Sequence, residues 1–201
     1  MLRGGNRLGI YFFEKGSDIR STNVVYDHAY SAFSQSDVED YKWEDILEPG
    51  DIFYFSGVTP AASDSVCQSL KRALTGIDQI DTYKEGMLEI TRQFPNVKSV
   101  TSVLRNMHTV EEGDWMGIYY VDGKFYQSPI HRVHSLEAVG AGDAYGAAFV
   151  HGLINGFDPQ KTVDFAISAS VLKLMIQHDF NVVTQEDEFK IMNSKNTNLS
   201  R

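Results

Sequence analysis

The segment VGAGDAYGAAFVHGL, residues 139–153, constrains the fold more than any other part of the chain. Gly140 and Gly142 open backbone conformations closed to other residues, so 139–143 can turn sharply and present consecutive N–H groups. The small and apolar residues that follow predict a helix to about Asn155, which puts those donors at its positive end. A phosphoryl oxygen gaining charge there meets dipoles that are already aligned. Asp143 has its charged form favoured by the same dipole and is placed to take a proton from an attacking hydroxyl. The same residues also describe a plain helix cap with helix and sheet in close approach, and taken alone they leave both readings open.

Around this segment the pattern alternates. LGIYFFE (8–14) and TNVVYDHAYSA (22–32) are rich in β-branched and aromatic residues and predict a strand pair. An acidic stretch, 36–51, carries Trp43, Ile46 and Leu47 at helical spacing and ends at Pro49-Gly50. The uninterrupted apolar run IFYFSG (52–57) reads as a strand buried on both faces, as in a parallel sheet. Its covering helix is expected over 63–75, with Ala62, Val66, Leu70 and Leu74 along one face. A helix over 81–93, a strand over 97–104 and a hairpin over 116–128 follow, the hairpin turning at Asp122-Gly123. Gly156 stops the helix after the glycine turn, Asp158-Pro159 starts the next, and the polar tail after Glu186 is expected to fray. Strands alternating with helices, plus two antiparallel hairpins, indicate an α/β sandwich with a small β appendage.

Composition narrows the partners. The chain has 201 residues, 42% of them hydrophobic, enough for one sizeable core. A net charge of -9, without a lysine or arginine block, makes nucleic acid and membrane surfaces poor partners. The single cysteine, Cys67, excludes an internal disulfide and fits a cytoplasmic setting; it reads as a packed side chain rather than a nucleophile. No apolar stretch of signal-peptide length stands at the N-terminus, and no run approaches the roughly 20 apolar residues that span a bilayer. His131 and His134 have no third ligand near in sequence, so a metal pair is not expected. Trp43 and Trp115 read as packing or rim aromatics, and Glu111, Glu112 and Asp114 as a solvated loop.

VGAGDAYGAAFVHGL resembles the C-terminal signature of the ribokinase-like (PfkB) carbohydrate kinases. RLGIYFFEKGSDIRSTNVVYDHAYSAF, FSGVTPA and KLMIQHDFN resemble the 2-keto-3-deoxygluconate kinase branch of that family, with gaps, from about Gly4 to Glu188. The resemblance implies a three-layer, Rossmann-like sandwich with a mostly parallel sheet flanked by helices and a small β lid. It makes 1–201 a single incomplete domain, with 8–32 as a lid remnant and 33–190 as the α/β core. It further implies ATP-dependent phosphorylation of a sugar acid, 2-keto-3-deoxygluconate to its 6-phosphate, with ATP and Mg2+ as cofactors and a homodimer or higher homo-oligomer as the assembly. Asp143 would be the catalytic base and a substrate contact, and Gly140, Ala141 and Gly142 the anion hole. Ser102, Arg105 and Asn181 would bind nucleotide, Tyr26 and His28 the sugar acid, and no protein-built metal site is implied.

Departures from the pattern accompany it. Glu137 stands where the family usually has aspartate, His28 where the branch has arginine, and His178 where a glycine precedes Asp-Phe-Asn. A neutral histidine at position 28 gives up the fixed charge and fork geometry that suit a carboxylate ligand. The family's N-terminal sugar-binding block has no counterpart, and between Thr75 and Asp81 no Asn-x-x-Glu motif occurs. A shortened chain of this kind leaves two other readings open: an impaired remnant that binds nucleotide or a partner, and a related kinase for another sugar.

Overall fold

The computed structural model describes residues 5–17, 20–27, 29–32, 35, 80–178 and 180–194. The expected helices over 36–51 and 63–75 and the expected strand over 52–57 lie outside the described residues, as do Trp43 and Cys67. The chain divides into two compact units, Met1–Phe53 and Tyr54–Arg201.

In the first unit, β1 (Ile10–Glu14) and β2 (Asn23–Asp27) form an antiparallel pair with Tyr11 opposite Tyr26. The predicted second strand is thus shorter than 22–32. Arg7 pins the open end of the pair: its guanidinium donates to both carboxylate oxygens of Asp27, at 3.0 and 2.7 Å, and to the Asp27 carbonyl. A two-stranded sheet has little interior, and Leu8, Phe12, Val25 and Tyr26 remain exposed.

The second unit is built on an antiparallel sheet. β3 (Ser99–Met107) pairs with β4 (Glu112–Val121) along its whole length. The other edge of β4 is shared by β5 (Lys124–Gln127) at one end and β6 (His131–His134) at the other. Between them Ser128 completes that edge, its N–H donating to Gly117 O and its hydroxyl oxygen accepting from Gly117 N–H. The β4–β5 turn is the predicted Asp122-Gly123, both at positive φ, as a type I′ turn requires. β4 starts earlier than the aromatic run suggested. Glu112 and Asp114, expected in a solvated loop, lie on this strand because their carboxylates find partners, Arg132 and His134 for Glu112 and His108 for Asp114.

Helices cover both faces of this sheet. Leu104, Met116 and Ile118 pack with Tyr83 and Met87 of α1 (Ile80–Gln93) on one side. On the other, Trp115 and Tyr119 pack with α2 (Ala141–Ile154) and α3 (Pro159–Leu174). The alternation along β4 follows from the two-residue period of a strand, and the double burial explains why Trp115 to Tyr119 are all buried. Asp158 caps α3 by accepting from Lys161 N–H, with Pro159 in the first turn, as the sequence predicts.

Two expectations change. The tail after Glu186 continues as a helix, α4 (Gln185–Asn193), because Thr184 and Asp187 form a capping box. Every strand pairing among the described residues is antiparallel; the run expected to supply parallel strands, 52–57, lies outside them. No helix among the described residues is long and apolar enough to cross a membrane.

Candidate active site

Gly140 immediately precedes α2 with φ 79 and ψ -4, the left-handed region in which a side chain is strained. This bend turns the chain from the β6 side into the helix. The first N–H to join the helical ladder at this end is that of Ala144, which donates to Gly140 O at 2.8 Å. The N–H groups of Gly142 and Asp143 precede it, and a helix start leaves such donors without an intrahelical acceptor. A Cβ built on Gly142 would meet no atom of the described residues within 4 Å and Gly142 is itself exposed, so among those residues the turn faces open space. Asp143 is exposed in the first turn of α2, beside that space. The structure places one exposed carboxylate in the first turn of a helix that starts, as the sequence predicts, directly after the glycine turn, and a helix start of this kind favours an anion.

Two sets of contacts hold this turn. Behind α2, Tyr145 is buried and shares a 2.6 Å hydrogen bond with Thr101 of β3. Burial pushes the Tyr145 phenol above its ordinary range, with the Thr101 bond acting in the opposite direction. Ahead of α2, Leu136 N–H and Glu137 N–H both donate to Leu174 O at the end of α3, at 2.8 and 3.2 Å. The Glu137 carboxylate accepts from His178 N–H at 3.0 Å. Neither Tyr145 nor Thr101 could be read as a site support from sequence, because their contact joins residues far apart in the chain.

The remaining sequence candidates occupy separate segments. Ser102 and Arg105 lie within β3, opposite Ile118 and Trp115, and the strand continues into a tight 108–111 turn. By the two-residue period, Ser102 shares a face with Val100 and Leu104, which pack toward α1 rather than α2. Asn181 is exposed between α3 and α4, its side-chain oxygen accepting from Val183 N–H. Tyr26 is exposed on β2 in the first unit, its ring 6.3 Å from that of Tyr11. His28 lies outside the described residues. His131 and His134, three apart on β6, fall on opposite faces of the strand; burial lowers the His131 pKa, while His134 faces Glu111 and Glu112.

No group of three His, Cys, Asp or Glu side chains that could hold a metal occurs among the described residues. An open turn with a single carboxylate does fit a magnesium ion carried mainly by substrate phosphates, since that ion keeps waters and takes only one or two protein carboxylates.

No protein-family model matches the chain. It is 23% identical over 234 residues to the 2-dehydro-3-deoxygalactonokinase of Haloferax volcanii, covering 97% of this chain and 73% of that one. The crystal structure of 2-dehydro-3-deoxygluconokinase from Thermotoga maritima is similar with a TM-score of 0.75 at 29% identity, covering 96% of this chain and 76% of that one. A PfkB family carbohydrate kinase from Listeria grayi shares the fold, with a TM-score of 0.73 at 21% identity over 95% of this chain and 75% of that one.

Proposed function

Starting from relatives and structural neighbours that are PfkB-family carbohydrate kinases, all longer than this chain, we propose that it transfers the γ-phosphoryl group of ATP to a sugar acid. The substrate we assign is 2-keto-3-deoxygluconate, phosphorylated on its 6-hydroxyl. One observation carries the reading: an exposed Asp143 in the first turn of α2, directly after a left-handed Gly140 and beside the open space over Gly142.

The step balances as follows. The substrate hydroxyl oxygen bonds to the γ-phosphorus while the bond from that phosphorus to the β–γ bridging oxygen breaks, releasing ADP. Asp143 accepts the hydroxyl proton as the new bond forms. In the Gly140–Gly142 anion hole the Gly142 N–H donates to the transferring phosphoryl oxygens, Gly140 and Ala141 shape the turn with Ala141 N–H donating to Ala138 O, and the dipole of α2 favours the same charge. A magnesium ion carried by the bound nucleotide would supply neutralisation of the phosphate charge. In the same reading Ser102, Arg105 and Asn181 contact nucleotide, Tyr26 and His28 contact the sugar acid, and the lid (8–32) and core (33–190) belong to one cytoplasmic ribokinase-like domain of three layers.

The test is a coupled ATP-turnover assay with 2-keto-3-deoxygluconate and its galacto epimer, comparing wild type with Asp143→Asn. A general base is worth about 100- to 10,000-fold in rate, so a loss of that order is expected. Turnover that survives the substitution unchanged removes Asp143 from the mechanism. Preference for the galacto epimer would move the substrate assignment.

A second reading is favoured by the chain spanning only 73% to 76% of its relatives. Under it the chain binds nucleotide or a partner without turning over. Absence of turnover in wild type, with ATP binding retained by calorimetry, would select that reading.

A further inference from the structure

Lys173 is the only charged side chain fully buried among the described residues. It interrupts the apolar end of α3, where the sequence reads VLKLM. Burying an ammonium is costly, and a methionine of similar length would fill the space without that cost. Its compensation is unusual in kind. Among the described residues no carboxylate forms an ion pair with it; Nζ donates instead to two main-chain carbonyls, Ile176 O at 3.3 Å and His178 O at 2.6 Å. Both oxygens lie just past the negative end of α3, where a cation is favoured.

The consequence is mechanical. His178 sits at φ 69, and its peptide groups are gripped from two sides. Its carbonyl accepts from Lys173, and its N–H donates to the Glu137 carboxylate. Glu137 and Leu136 are also bonded through their own N–H groups to Leu174 O. Three residues further along, the chain bends at Gly140 into the turn that carries Asp143. A continuous path of hydrogen bonds therefore runs from the buried ammonium to the segment that aims the turn.

We propose that Lys173 is a positioning residue for the Gly140–Asp143 turn, holding residues 176–178 so that His178 and Glu137 fix the segment leading into α2. The proposal rests on the kinase reading for its effect on rate, but its structural content can be tested without turnover.

Two measurements are made on Lys173→Met and Glu137→Ala in the full chain. Hydrogen exchange of the amides over 138–144 is expected to accelerate at least about tenfold in both, while Ile80–Gln93 keeps wild-type rates. In steady-state turnover, kcat is expected to fall about 10- to 100-fold with KM for ATP little changed, since misplacement of reacting groups acts on the chemical step. Lys173→Ala, which leaves a carbonyl-lined space, should regain rate and exchange protection on adding ethylammonium, whereas a general loss of packing would not respond to that cation.

Wild-type exchange over 138–144 in a folded Lys173→Met protein overturns the proposal. Should Lys173→Met fail to fold, Glu137→Ala breaks the same path at its half-buried end, and unchanged exchange there overturns it equally. If wild type shows no sugar-acid turnover, the proposed function fails, and the exchange measurement still decides the role of Lys173.

Discussion

His178 occupies a backbone conformation that a side chain adopts at a cost, at a position where the branch it resembles has glycine. Its contacts with Lys173 and Glu137 use only main-chain atoms, so removing the imidazole leaves them in place. A non-glycine residue in the left-handed region costs about 1–2 kcal/mol, and glycine returns about 0.5–1 kcal/mol of that as unfolded-state entropy. His178→Gly is therefore expected to stabilise the protein by roughly 0.5 kcal/mol, read as a higher urea midpoint. A lower midpoint would mean that the imidazole itself supports the loop. At this scale the sequence was informative where the chemistry is local. Gly140 and Asp143 are neighbours, so their turn and helix start were legible. Lys173 was not, although a lone lysine in an apolar helical run was the available signal, because what it touches depends on how the loop after α3 folds back.

Gly117 decides how closely the second unit's elements can approach. A Cβ built there would lie 2.8 Å from Val163 Cγ2 of α3 and 3.1 Å from the Tyr145 ring of α2. Both contacts come from side chains fixed in the core, so neither can swing away. Gly117→Ala should therefore cost roughly 1–3 kcal/mol, as overpacking of a filled core does, with a matching fall in the urea midpoint. An unchanged midpoint would show that α2 and α3 can slide on the sheet. Elements with strong local punctuation were readable from sequence, as Asp122-Gly123 and Asp158-Pro159 illustrate. The missed helix α4 had comparable punctuation in Thr184 and Asp187, outweighed in the reading by the polar composition that follows it. The acidic residues of β4 misled for a related reason: charge suggests a loop until the partners on β6 and at His108 are known.

At the scale of the molecule, exposed apolar residues on and just before the β1–β2 pair stand out among the described residues. Leu8, Phe12 and Tyr26 are 80%, 60% and 59% exposed, and a two-stranded sheet gains stability from a further apolar partner. A second copy of the chain is the partner expected from the resemblance. Light scattering should then find a dimer whose dissociation is promoted by Phe12→Glu, while a wild-type protein that stays monomeric at every concentration would exclude that assembly. The fold family was legible because the glycine turn is specific. The order of the strands was not, since antiparallel pairing of β4 with three neighbours depends on contacts that no single segment encodes.

That arrangement of β4 bears on how the protein is made. Among the described residues, all the partners of β4 lie between Ser99 and His134, so this sheet can close before the chain beyond it leaves the ribosome. Synthesis would then lay α2 and α3 onto a finished floor. The Gly140–Asp143 turn would be formed by residues arriving at a template rather than by a search, and a synonymous change that slows translation once His134 has cleared the ribosomal exit tunnel should favour folding, read as a higher soluble yield, rather than hinder it.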